Sequence, residues 1–132
     1  MRWSWRDSRL QAELAYLATQ PLGRFATASA TGQPDVAVVI FGVDDGCIVT
    51  AGFDITRTVR YRNAKTNPRA VFIVDDLAGT DPWSPRGIKV RGSVAVEAHE
   101  GGERFRITPE VIWSWGVEEP AAGIPQMTRR TV

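Results

Sequence analysis

"GRFATASATGQPDVAVVIFGVDDGCIVTAG", residues 23–52, is the stretch from which the fold class can be read. Two runs rich in small and β-branched residues, "GRFATASA" and "PDVAVVIFGV", flank "TGQP", a turn by composition. "VDDGCIVTAG" then carries Asp45-Gly46, a pair that tolerates positive φ and favours a tight hairpin. The expectation is an antiparallel meander. Cys47 is the only cysteine, so no internal disulfide is available, and its apolar setting reads as a small buried hydrophobe.

Before the meander, "RDSRLQAELAYLAT" spaces Leu10, Leu14 and Leu17 as one face of a short helix, with Asp7 or Ser8 as cap. After it comes "DITRTVRYRNAKTNPRA", residues 54–70, with Arg57, Arg60, Arg62, Lys65 and Arg69. Asp54 or Thr56 can cap a helix there and Asn67-Pro68 stops it, which predicts a basic helix over 56–66. "RAVFIVDD" reads as a buried strand and "LAGTDPWSPRG" as a loop. "IKVRGSVAVEA" alternates, with Ile88 and Val90 opposite Lys89 and Arg91. After the "HEGGE" turn, "RFRITPEVIWSWGV" closes the sheet, with Trp113 and Trp115 on one side of a strand. The tail, residues 120–132, reads as flexible or packed on a partner.

These elements predict a mainly β (α+β) protein: a six-stranded antiparallel barrel with an N-terminal helix and an inserted basic helix. The 132 residues are the size of a single domain. A net charge of +1 argues against a nucleic-acid partner, which expects a broad basic face. No run of 18 apolar residues and no apolar leader occurs, so a cytoplasmic protein without a membrane partner is expected. No Cys/His set points to zinc, and no P-loop, G-x-G-x-x-G or nucleophile–base arrangement appears. No catalytic residue can be named. His99, the only histidine, falls in a turn.

Anion binding is what the residues offer. Arg57 and Arg60 are three apart and share a helix face. A helix start adds free N–H groups and the positive end of the dipole, and an arginine fork grips two phosphate oxygens at once. Arg62 and Lys65 read as solvated. Trp83 and Arg86, in the Pro/Gly-rich loop, suit either a cover over a flat ring or a subunit contact.

Taken together, "GRFATASATGQPDVAVVIFGVDDGCIVTAG", "NPRAVFIVDD" and "RGIKVRGSVAVE" resemble the pyridoxamine-phosphate-oxidase-like flavin and deazaflavin enzymes of split β-barrel fold. "RFRITPEVIWSWGVEE" is similar to their coenzyme F420-dependent subgroup. The resemblance implies a homodimer with cofactor sites at the subunit interface and an oxidoreductase that passes a hydride to an electron-poor small-molecule acceptor, such as an enone, a quinone or a polyketide-like ring. It implies that Arg60, assisted by Arg57, holds the cofactor phosphate. It implies that Thr50, Ala51 and Gly52 line the ring with Val38 and Val39, and that Trp83 and Arg86 close the site from a loop. FMN is the alternative cofactor; the row of cations, with Arg2, Arg6 and Arg9, favours the longer anionic tail of F420. A member that binds flavin or deazaflavin without catalysis is the other alternative.

Overall fold

The computed structural model describes residues 8–118, 123 and 125–132, with the side chains of Ser8 and Arg9 left out. Helix α1 (Ser8–Ala18) precedes strands β1 (Gly23–Ala28), β2 (Pro34–Val39), β3 (Gly42–Asp44) and β4 (Cys47–Thr50). A 3-10 turn (Ile55–Arg57) leads into helix α2 (Val59–Thr66). Strands β5 (Arg69–Thr80), β6 (Trp83–His99), β7 (Gly102–Trp115) and β8 (Thr128–Thr131) follow.

The strands form one antiparallel sheet in the order β2-β1-β5-β6-β7-β4-β3, with β8 added beside β7. The sheet has eight strands rather than the expected six, and its end strands β2 and β3 do not pair, so it is not closed. Two features account for the difference. The run "PDVAVVIFGV" breaks at Ile40–Phe41 into β2 and β3, and the tail contributes β8. Across the break the Thr50 hydroxyl donates to the Ile40 carbonyl at 2.7 Å, which ties β4 to the connection.

The interior face repeats every second residue: Phe25, Phe72, Val74, Ile88, Val90, Phe105, Ile107 and Ile112 are nearly inaccessible. Phe25 packs edge-on against Phe105 with ring centroids 5.1 Å apart. Cys47 is fully buried. Leu10 and Leu17 of α1 are buried as their spacing predicts, and Leu14 is half-buried. Asp7 lies outside the described residues. Glu13 is fully buried as well, held by the Arg130 guanidinium of β8.

The segment "LAGTDPWSPRG" is not a loop. β5 continues to Thr80 and β6 starts at Trp83, and their register runs from Arg69↔Ser93 out to Thr80↔Trp83 with a bulge after Leu77. The prolines and glycines are accommodated because this end of the hairpin projects beyond the neighbouring strands. The end of the tail also differs from the reading, since Thr128–Thr131 pair with Val111–Ser114; residues 120–122 and 124 lie outside the described residues. No helix among the described residues is long and apolar enough to cross a membrane.

Candidate functional site

The basic segment is two elements, not one helix. The Asp54 carboxylate accepts from Thr56 N at 3.1 Å and caps the 3-10 turn, and the Thr58 hydroxyl accepts from Tyr61 N at 3.2 Å and caps α2. Thr58 also donates to Ile55 O at 2.6 Å, which fixes the joint. The predicted start at Thr56 is therefore displaced to Val59, and of Arg57 and Arg60 only Arg60 lies in the first turn of α2. Arg57, at the end of the 3-10 turn, is 88% exposed and pairs with Asp54 at 3.5 Å.

Arg60 turns inward. Its guanidinium sits 5.8 Å from the centroid of Phe105, and its Nε is buried without a hydrogen-bond partner. Gly52 lies beside the guanidinium: a Cβ placed there would stand 3.6 Å from one of its terminal nitrogens, an ordinary contact. Burial pulls the Arg60 pKa below its ordinary value, and the Asp35 carboxylate opposes that pull. A buried, unsatisfied guanidinium donor is costly, and anion binding is what such a donor can do. α2 packs against β1, β2 and β6, anchored by Asn63, whose amide donates to Thr27 Oγ1 at 3.0 Å.

Two clefts meet at Ala51 and His99. One, of about 390 Å³, is lined by Ala51, Gly52 and Phe53 on one wall and by His99, Glu100 and Glu103 on another. The other, of about 170 Å³, includes Ile40, Thr50, Ala51, His99 and Arg104. Phe53 is fully exposed beside the larger cleft. Thr50 itself is buried, with its hydroxyl committed to Ile40. Alternation divides the other strand pair: Val39 is buried in the core, whereas Val38 is 61% exposed on the outer face with Val36 and Ile40. One flat ring cannot lie against both Val38 and Val39.

Trp83 and Arg86 stand apart from this group. Phe105, under Arg60, pairs with Val96, thirteen residues along β6 from Trp83, a path of roughly 40 Å. Arg86 is already engaged, donating to both Asp76 oxygens at 2.7 and 2.9 Å. Tyr16 donates to the same carboxylate at 3.0 Å, and burial followed by that hydrogen bond raises its pKa. Trp83 is 56% exposed. Arg62 and Lys65 are exposed, as read, with Lys65 Nζ 5.3 Å from the Tyr61 ring. Arg2 and Arg6 lie outside the described residues, as does the side chain of Arg9. Sequence reading passed over His99 and Phe53, since a lone turn histidine and one phenylalanine carry no pattern; only the β4–β7 register brings them to one cleft.

The chain is 36% identical over 118 residues to the 5a,11a-dehydrotetracycline/5a,11a-dehydrooxytetracycline reductase of Streptomyces rimosus, a match covering 82% of this chain and 83% of that protein. No family model matches the chain. In fold it is similar to a heme binding protein from Mycobacterium smegmatis (TM-score 0.74, 16% identity, 97% of this chain and 60% of that one). It is also similar to an FAD binding protein from the same organism (TM-score 0.60, 20% identity, 75% and 85% coverage). The wider set of like folds includes pyridoxamine 5'-phosphate oxidase-like and further FAD-binding proteins.

Proposed function

The chain belongs to the family of the Streptomyces rimosus reductase, and from that premise we propose that it is an oxidoreductase using coenzyme F420 to reduce an electron-poor organic acceptor. The observation that carries the cofactor reading is Arg60: a partly buried guanidinium, with one donor unsatisfied, beside the open strand end at Gly52. That geometry fits a phosphate. Arg57, exposed at the rim, suits the charged tail that follows the phosphate in F420. The cofactor when bound supplies the hydride, so the chain has only to bind, orient and shield. Ala51 and Gly52 would flank the ring, with Val38 on the outer face of β2. The acceptor is a conjugated enone, a quinone or a polyketide-like ring, the last in keeping with the tetracycline-type compounds in the relative's name.

A homodimer belongs to this reading. Val36, Val38 and Ile40 expose 65, 61 and 64% of their surface along one face of an edge strand, an apolar strip that soluble proteins ordinarily cover. A Trp83 that reaches an Arg60 would have to come from a second copy, since the two lie far apart within one chain.

FMN is the second reading, favoured by the FAD-binding protein of like fold. Titration of the purified protein with F420 and, separately, FMN at two salt concentrations distinguishes them. Tight, salt-sensitive F420 binding with weak FMN binding is expected, followed by reduction of an enone or quinone acceptor by reduced F420. FMN binding alone would move the protein to the flavin reading, and binding with no acceptor reduced would make it a carrier. Binding of neither would remove the cofactor role from Arg60.

A further inference from the structure

Trp113 is ringed by three cations. Lys89 Nζ lies 4.3 Å from the ring centroid, and the guanidinium carbons of Arg91 and Arg129 lie 5.2 and 5.7 Å from it. Strand register builds the arrangement: Lys89 of β6 and Arg129 of β8 sit opposite Trp113 from its two sides, and Arg91 is the next outward residue of β6. Ile88, Val90 and Ile112 between them are buried, so the group occupies the outer face of the sheet.

An aromatic face attracts a cation, but three cations around one ring also repel one another, and like charges on neighbouring strands destabilise a sheet. The chain has 15 acidic residues. Yet among the described residues no carboxylate forms an ion pair with Lys89, Arg91 or Arg129. Asp75, on the adjacent strand, is paired with Arg24 instead. In a protein of net charge +1 this is a concentrated local excess.

We propose that Lys89, Arg91 and Arg129, gathered around Trp113, form a binding site for an oligoanion, a linear ligand bearing two or more phosphate or carboxylate groups. The two guanidinium forks can each engage a pair of anionic oxygens, and Lys89 adds a point charge beside them. The site is distinct from Arg60: Trp113 is eight residues along β7 from Phe105, the ring under that guanidinium, roughly 25 Å.

Calorimetric titration with inorganic tripolyphosphate and, separately, with tetraglutamate, at low and physiological salt, tests this. The expected result is one site per chain in addition to any at Arg60, with affinity falling steeply as salt rises. The double variant K89Q/R91Q and the single variant R129Q should each weaken binding about tenfold or more, as removal of phosphate contacts does, while R60A leaves it unchanged. Melting curves for K89Q/R91Q that are no lower than wild type, as expected when outward-pointing like charges are removed, keep the comparison free of folding effects. Binding of one probe alone supports the site and assigns its chemistry to phosphate or to carboxylate. Failure of the wild-type chain to bind either, or loss of binding in R60A with retention in K89Q/R91Q, overturns the proposal.

Discussion

Arg60 lies over the Phe105 ring at 5.8 Å with its Nε sealed from water and unpartnered. An unsatisfied buried donor costs a folded protein about 1–3 kcal/mol. Arg60→Met, which keeps the length and discards the charge, should therefore stabilise the ligand-free protein by about 1 kcal/mol in denaturant melts. The same change should weaken cofactor binding by ~1.5–3 kcal/mol, the worth of a charged hydrogen bond. A variant that loses stability and keeps its affinity would make Arg60 a packing residue.

Glu13 and Arg130 join the first helix to the last strand, with the carboxylate fully buried. Removing one member of a buried pair destabilises by up to about 3–5 kcal/mol, less where the remaining charge keeps other partners. Arg130→Met should fall in that range, and Glu13→Gln added to it should recover part of the loss. Melting curves of the two variants decide it. Equal stability of Arg130→Met and wild type would mean that the Glu13–Arg130 pair contributes nothing net to the fold.

That pair shows where the sequence stops being legible. The meander, the N-terminal helix and the strand before Lys89 are local: alternation and spacing suffice to find them. β8 is not local, since "MTRRTV" is polar and becomes a strand only because β7 offers it an edge and Glu13 offers Arg130 a partner. Composition likewise marked "LAGTDPWSPRG" as a loop, although a bulge lets the hairpin continue through it. At the site, two caps competed for one helix start. Asp54 took the 3-10 turn and Thr58 took α2, which sent Arg57 outward and Arg60 inward. Spacing alone had placed the two on one face. Arg86 looked free because its partner, Asp76, is a cross-strand neighbour.

Acid should unfold the protein through its paired carboxylates. Hydrogen bonds from Arg106 and Arg104 lower the Glu97 pKa from the usual 4.5 to about 2. Those from Arg86, with lesser help from Tyr16 and Gln20, hold Asp76 below its ordinary value. Both groups bind protons more readily in the unfolded chain, so their stabilisation is complete above about pH 4.5 and is lost as pH falls toward 2. Glu97→Gln should lower stability at neutral pH and flatten the decline between about pH 5 and 3. A decline of unchanged steepness would mean that other groups carry it.

Gly92 sits where β6 and β7 shift register, and a Cβ there would lie 1.9 Å from the Thr108 carbonyl oxygen. Backbone, unlike the end of a flexible side chain, cannot step aside. Gly92→Ala should destabilise by about 3 kcal/mol, at the upper end of overpacking costs. Gly101→Ala, at a hairpin tip with open space around it but φ of +78°, should cost only the strain of that backbone, about 1 kcal/mol. Comparable losses at the two positions would show that the bulge relaxes.

The outward row Val36, Val38 and Ile40 allows the dimer to be tested without touching the core. Val38 is 61% exposed, so Val38→Asp should leave the melting curve of a lone chain nearly unchanged. If a second copy covers the row, the new carboxylate is buried without a partner at the interface. Uncompensated burial of that kind costs at least ~2 kcal/mol, enough to shift dimer dissociation by about 30-fold or more. Light scattering should then report a monomer at concentrations where the wild type is a dimer. Cofactor affinity should fall with it, because Trp83 and Arg60 of one chain lie too far apart along β6 and β7 to close on one ligand. A persistent dimer would place the contact on another face. A monomer that still binds cofactor as tightly would show that one chain completes the site by itself, with Phe53 rather than Trp83 as the side chain that covers the ring.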